Sequence, residues 1–280
     1  MGEGFDSDAA RQAGLLGKPR LSHLWGPMAG TAVLRPVTWR SARVTGLHDE
    51  TANARTITLA VRDWPGHIAG QHVDLRLTAP DGYSAVRSYS IASAPNSDGR
   101  IEITVERLAN GEVSPYLTKE LIVGDELELR GPVGGWFVWR RDQTEPIQLV
   151  AGGSGIVPLM AMIRSRASAG SSAPFRLLYS VREPGAVFYQ DELQALSDQD
   201  HSVIVTYAYT RVTPKDSPRP PGRIDAMLIA TGTWPSNLAA TSYVCGPTSF
   251  VENATDLLIA AGYGRENIRT ERFGATGERK

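Results

Sequence analysis

Four consecutive residues, Arg87-Ser88-Tyr89-Ser90, combine a cation suited to phosphate, an aromatic plane and hydroxyl donors. On a strand, Arg87 and Tyr89 point to one face and Ser88 and Ser90 to the other. Barrel curvature or a bend is then needed for Tyr89 and Ser90 to address one ligand. Taken alone, the run is also a strand with a polar face. Asn110-Gly111-Glu112-Val113-Ser114 is a turn entering a helix, where free N–H groups and a capping Ser114 suit an anion such as pyrophosphate. Without further support it is a capped helix. Gly131-Pro132-Val133-Gly134-Gly135-Trp136-Phe137 permits close backbone approach to something flat, and a barrel corner would need the same glycines.

Two further stretches stand at the ends of apolar runs. Val150-Ala151-Gly152-Gly153-Ser154-Gly155-Ile156-Val157-Pro158 leaves a strand and enters a helix, which lets backbone N–H groups meet a dinucleotide pyrophosphate. Its spacing is not GxGxxG, and no acidic ribose partner is evident about 20 residues on. Cys245-Gly246-Pro247 closes another apolar run. A buried cysteine often serves as a small apolar residue. A strand end in an α/β sheet is also where ligands bind.

The elements that must carry these residues fall into two groups. Residues 36–143 read as short strands at 54–61, 70–77, 85–92, 100–108 and 125–131, rich in β-branched residues and separated by turns such as PNSDG. That spacing predicts a small antiparallel barrel, interrupted by a short helix over 113–121. Residues 144–280 alternate strands at 147–151, 175–181, 201–209 and 241–246 with helices at 156–167, 186–196 and 249–262. This alternation predicts a parallel α/β sheet. The polar stretch RRDQTEPI is the expected boundary. Residues 1–35 read as an irregular N-terminal arm.

The chain has 280 residues, with 29 Lys and Arg against 30 Asp and Glu. So even a balance gives no electrostatic case for nucleic acid. Its one cysteine cannot form an internal disulfide or a four-thiolate iron–sulfur cluster, and no metal site is expected. No apolar run reaches the roughly 20 residues of a membrane span, and the first residues lack the basic-then-apolar order of a signal peptide. The expectation is a soluble cytoplasmic protein with no membrane partner.

In this order RSYS, GEVS, GPVGG, GGSGIVPLM, CGP and the terminal ERF resemble the ferredoxin–NADP reductase superfamily over about residues 38–273. The likeness is nearest to its bacterial oxygenase-reductase and flavodoxin-reductase types, without a fused iron–sulfur domain. The resemblance implies an N-terminal FAD-binding barrel followed by an NAD(P)-binding α/β domain. Arg87 would pair with the flavin pyrophosphate, Tyr89 would lie against the isoalloxazine or ribityl, and Ser90 would hydrogen-bond near flavin N5. Gly111, Val113 and Ser114 would serve the pyrophosphate, with Ser88 and Val105 in the same cofactor-binding set. Gly152, Gly153, Gly155 and Pro158 would shape the nicotinamide-nucleotide loop. Cys245, followed by Gly246 and Pro247, would stand beside nicotinamide C4, so that Ser90 and Cys245 form the catalytic pair. Phe273 matches an aromatic that some members place over the flavin, although here the chain continues through GATGERK.

The implied activity is hydride transfer from NADPH to bound FAD, then single-electron delivery to a separate ferredoxin, oxygenase, haem protein or molybdenum enzyme. NADPH is expected over NADH because Thr210-Arg211 follows a strand where NADP-specific members place a hydroxyl and a cation. Arg182 could add a second charge, and Tyr189 could lie near the adenine. The alternatives are a free-flavin reductase and a non-catalytic regulatory subunit that keeps the fold. Arg40, Arg43, Arg140 and Arg141 read either as a basic docking face or as scattered solvated charges.

Overall fold

The computed structural model describes residues 38–79, 81–199, 203–217 and 219–273. The N-terminal arm expected over 1–35 lies outside them. The first six strands are β1 (Trp39–Thr51), β2 (Ala54–Val61), β3 (His72–Thr78), β4 (Ser84–Ser90), β5 (Arg100–Glu106) and β6 (Glu126–Val133), with helix α1 (Ser114–Lys119) before β6. They pair antiparallel in the order β4-β3-β6-β1-β2-β5. An isolated bridge between Ile91 and Ile103 brings the chain beyond β4 back to β5, so the two edges meet. Alternate residues such as Ile57, Leu59, Val73, Leu75, Ile101 and Ile103 fill the enclosed core. Burying one face and wetting the other is the usual economy of an antiparallel sheet.

The second sheet contains β7 (Ile147–Gly152), β8 (Phe175–Val181), β9 (Val203–Tyr209), β10 (Thr241–Pro247) and β11 (Ile268–Phe273), all parallel, in the order β11-β10-β7-β8-β9. Helices α2 (Ile156–Ser168), α3 (Gln190–Gln199), α4 (Ala226–Gly232) and α5 (Thr248–Ala260) connect these strands. Every residue of β7 is buried, as a central parallel strand covered on both faces must be. The chain starts at β7, runs outward through β8 and β9, then returns to the other side of β7 as β10. Strand order therefore reverses between β7 and β10, and a ligand crevice is expected outside their carboxyl ends. Those ends carry Gly152 and Cys245.

One face of this sheet packs against the barrel side of the molecule. Phe137 meets Tyr243 edge-on with centroids 5.4 Å apart, and Trp139 meets Phe175 likewise at 5.5 Å. Ala69 and Ala92 share this core with Met160 and Met162 of α2. The other face is closed by α4 and α5 through Leu228, Ile229, Val251 and Leu258. Among the described residues, no helix is long and apolar enough to cross a membrane.

Candidate active site

Strand pairing fixes which way the RSYS residues face. Arg87 lies opposite Leu75 and Tyr89 opposite Val73, on the side of the barrel core. Ser88 lies opposite Asp74 and Ser90 opposite His72, on the outer side. The Arg87 guanidinium donates to Glu112 Oε2 at 2.7 Å and to the Val86 carbonyl at 2.8 Å, while Tyr83 OH donates to the other Glu112 oxygen at 2.7 Å. This sets Arg87 beside the GEVS turn. Tyr89 packs against the barrel core, and burial pushes its phenol up to about 12. The Ser88 hydroxyl is committed to Asp74 at 2.6 Å, and Asp74 also accepts from Arg130 at 2.9 Å.

The GEVS turn differs in one detail from a Ser-capped helix. Val113 occupies the N-cap position with no side-chain cap bond, and Ser114 is the first helical residue. Its hydroxyl oxygen instead accepts from the Leu108 N–H at 3.0 Å, which fixes the loop rather than the helix start. Gly111 is required because a Cβ there would lie 2.5 Å from that hydroxyl. Val105 is buried in the barrel core, so its side chain is closed to a ligand.

At the crevice, the two glycine segments pack on each other. A Cβ at Gly155 would fall 2.1 Å from the Cys245 carbonyl oxygen, and one at Gly152 would meet the Phe250 ring at 2.6 Å. Gly246 abuts the same ring and the backbone of Gly152. Gly153 has φ of +54° with no atom near its Cβ direction, which leaves its backbone open. Pro158 is buried in the first turn of α2. Phe250 was not among the sequence candidates, although CGPTSF puts an aromatic one turn into α5.

The two halves meet through His72, which in sequence reads as a surface or barrel residue, and Glu271, which is not a candidate there. β10 and β11 place Glu271 directly beside Cys245. The Glu271 carboxyl stands 3.8 Å from His72 Nδ1, and His72 is opposite Ser90. Ser90, His72, Glu271 and Cys245 thus form a continuous chain from barrel to parallel sheet. Burial raises the Glu271 carboxyl to about 7, and its Oε2 is buried with no hydrogen-bond partner among the described residues. Burial lowers His72, so its imidazole is neutral near pH 7. The Cys245 thiol is pushed well up by burial and by the neighbouring Glu271 charge, so it too stays neutral. ERF carried the signal for Glu271, but it was read only for Phe273. Phe273 is half-buried at the end of β11, opposite Pro247.

At the far edge, Thr210 N–H donates to the Val181 carbonyl at 2.8 Å and Arg211 N–H to the Arg182 carbonyl at 2.9 Å. Arg182 and Arg211 are therefore neighbours, both exposed, with no ion pair among the described residues. Tyr189 is elsewhere. It is buried at the junction with its hydroxyl bonded to Thr104, which corrects the expectation that it lies near an adenine. Of the four suggested docking arginines, Arg40, Arg43 and Arg141 bond backbone carbonyls, and Arg43, Arg140 and Arg141 are exposed.

These residues fit a flavin and a nicotinamide dinucleotide. The orphaned buried oxygen of Glu271, the open backbone at Gly153 and the Arg182 and Arg211 guanidiniums, which make no ion pair among the described residues, each offer a polar group to a ligand. Comparison with known proteins agrees. Residues 42–138 match the oxidoreductase FAD-binding domain and 149–256 the oxidoreductase NAD-binding domain. The reductase component of naphthalene 1,2-dioxygenase/salicylate 5-hydroxylase systems from Ralstonia sp is 27% identical over 253 residues, covering 90% of this chain and 74% of that protein. A flavohemoprotein of Bordetella pertussis is 28% identical over 250 residues, 85% of this chain but 61% of its own length. The flavohem-like FAD/NAD-binding domain of nitric oxide dioxygenase from Vibrio cholerae superposes with a TM-score of 0.73 at 25% identity, covering 84% of this chain and 98% of that one.

Proposed function

The chain belongs to the ferredoxin–NADP reductase superfamily, and from that premise we propose that it is an NADPH-dependent FAD flavoprotein that reduces a separate electron-acceptor protein. The observation that carries this reading is the His72–Glu271 contact at 3.8 Å, which joins the strand paired with that of Ser90 to the strand paired with that of Cys245. When bound, the flavin supplies hydride acceptance from the nicotinamide and single-electron release to the acceptor.

The chain's own residues bind, orient and exclude water. In the barrel, taken as residues 36–143, Arg87 would meet the flavin pyrophosphate, its guanidinium held by Glu112 and the Val86 carbonyl. Ser90 would offer a hydroxyl toward the flavin, and the part of the Tyr89 ring not packed on the barrel core would lie along it. In the α/β domain, residues 144–280, the Gly152–Gly155 turn admits the dinucleotide backbone and Arg182 with Arg211 reads a 2′-phosphate. The Cys245 residue, its thiol buried and neutral, would stand at the strand end that bounds the nicotinamide ring. Burial raises the Glu271 carboxyl to about 7, so it can carry a proton up to near neutral pH. No general acid–base pair is needed to move a hydride between two correctly placed rings; position is the main contribution. The acceptor is a ferredoxin, an oxygenase, a haem protein or a molybdenum enzyme.

The test is whether purified protein carries one FAD per chain that survives gel filtration and is reduced by NADPH without oxygen. Flavin that binds only in passing and turns over as a substrate would instead indicate a free-flavin reductase.

A further inference from the structure

Helix α2 begins at the glycine turn and carries Arg164 two turns further on, at the junction with the barrel. The Arg164 guanidinium is used almost completely. Its Nε and Nη2 grip Glu192 of α3 at 2.9 and 2.6 Å, and its Nη1 donates to Glu102 of β5 at 2.9 Å. The same nitrogen donates to the carbonyl of Ala92 at 3.1 Å. Ala92 is two residues beyond Ser90, is fully buried, and returns its own N–H to the Glu102 carbonyl at 2.7 Å. The plane of the guanidinium lies over the Tyr189 ring, 4.9 Å from its centroid.

Tyr189 completes the seam. It adopts φ of +57°, an uncommon conformation for a bulky side chain, and this aims its N–H at Glu50 Oε2 of β1 at 2.9 Å. Around this seam Thr56, Thr104 and Tyr189 are hydrogen-bonded in series, with Ala54, Val187 and Phe188 in the adjoining core. The ions are only partly buried, with 20% of the Arg164 side chain and 39% of that of Glu192 exposed, so their pairing adds little to stability. A planar fork with fixed donors does something an apolar pair cannot, which is to set distance and angle together.

We propose that Arg164 is a positioning residue for hydride transfer, tying the backbone just past Ser90 to the helix that starts at the glycine turn and so fixing the separation of the flavin and nicotinamide sites. This rests on the function proposed above. Arg164 touches neither cofactor site directly, and its effect is carried by Ala92 on one side and α2 on the other. Arg164→Lys keeps the charge but cannot serve Glu192, Glu102 and Ala92 at once. Misplacement of reacting groups by about 1 Å can cost about 100-fold in rate.

The experiment compares the parent holoprotein with Arg164→Lys and with Leu258→Ala, a core truncation on the opposite face of the sheet. At matched loss of melting temperature, Arg164→Lys is expected to slow flavin reduction at saturating NADPH by about 10- to 100-fold. Dissociation constants for FAD and NADPH should stay within about twofold, while the long-wavelength nicotinamide–flavin charge-transfer band weakens. Amide hydrogen exchange should rise at residues 91–93 and 153–156 in Arg164→Lys and not in Leu258→Ala. Equal slowing in both variants, or an unchanged band and unchanged exchange in Arg164→Lys, would overturn the proposal. If Arg164→Lys does not fold, Glu192→Gln is read by the same criteria. Parent protein that binds no flavin would refute the functional reading instead, and exchange at those two segments alone would then decide the clamp.

Discussion

Arg87 and Glu271 do opposite work with charge. Arg87 is half-exposed and already holds a carboxylate, so a phosphate gains from it only the lower end of a charge-assisted bond. Arg87→Ala is expected to weaken FAD binding by about 1.5 kcal/mol, roughly 10-fold, measured by fluorescence titration of the apoprotein. Glu271 is buried with its carboxyl raised to about 7 from an ordinary 4.5. The folded state therefore prefers the protonated form. Stability is full below about pH 4.5 and is lost as pH rises to about 7, by on the order of 2–3 kcal/mol. Glu271→Gln should remove that slope, with a higher melting temperature than the parent at pH 8 and little difference at pH 4.5. A parallel pair of melting curves across this range would show instead that Glu271 is solvated. If Cys245 stands beside the nicotinamide as proposed, Cys245→Ser should leave the flavin spectrum nearly unchanged while slowing reduction by NADPH, up to about 100-fold in stopped flow.

At the scale of elements, the proposed preference for NADPH rests on the carboxyl ends of β8 and β9. Backbone bonds hold Arg182 and Arg211 side by side and leave both guanidiniums available. Arg211→Ala should raise KM for NADPH by about 10-fold or more and barely change that for NADH, since an Arg–phosphate pair contributes roughly 1.5–3 kcal/mol. An identical loss with both cofactors would remove the assignment. Elements with a full apolar signal were legible in the sequence. The strand expected at 175–181 is β8 with the same bounds, and the helix expected at 156–167 is one residue short of α2. Elements with thin signals were not. β1 runs for 13 residues but fully buries only Ala42 and Val44, so its pattern looks like a polar linker. α4 has seven residues and depends on Asp225 accepting from the Leu228 N–H at 2.9 Å, a local capping bond rather than a periodic stripe. β11 is an edge strand whose charged residues gain meaning only from pairing with β10.

For the molecule as a whole, motifs in order pointed to the two sheets, whereas the junction between them had no local signature. His72, Arg164, Tyr189 and Glu192 look ordinary in sequence, and their roles come from contacts made across long separations. Tyr189 is the clearest case, because an aromatic after a strand suggested a base-stacking platform and the fold uses it as a buried wedge. The central claim is that this junction brings a flavin site and a nicotinamide site together for hydride transfer. It is tested most directly by anaerobic stopped flow on FAD-loaded protein mixed with NADPH. The account predicts bleaching of the flavin absorption in a single turnover, with NADPH reacting at lower concentrations than NADH. Protein that stays colourless after incubation with FAD or FMN, or bound FAD that NADPH and NADH both leave oxidised, would contradict it.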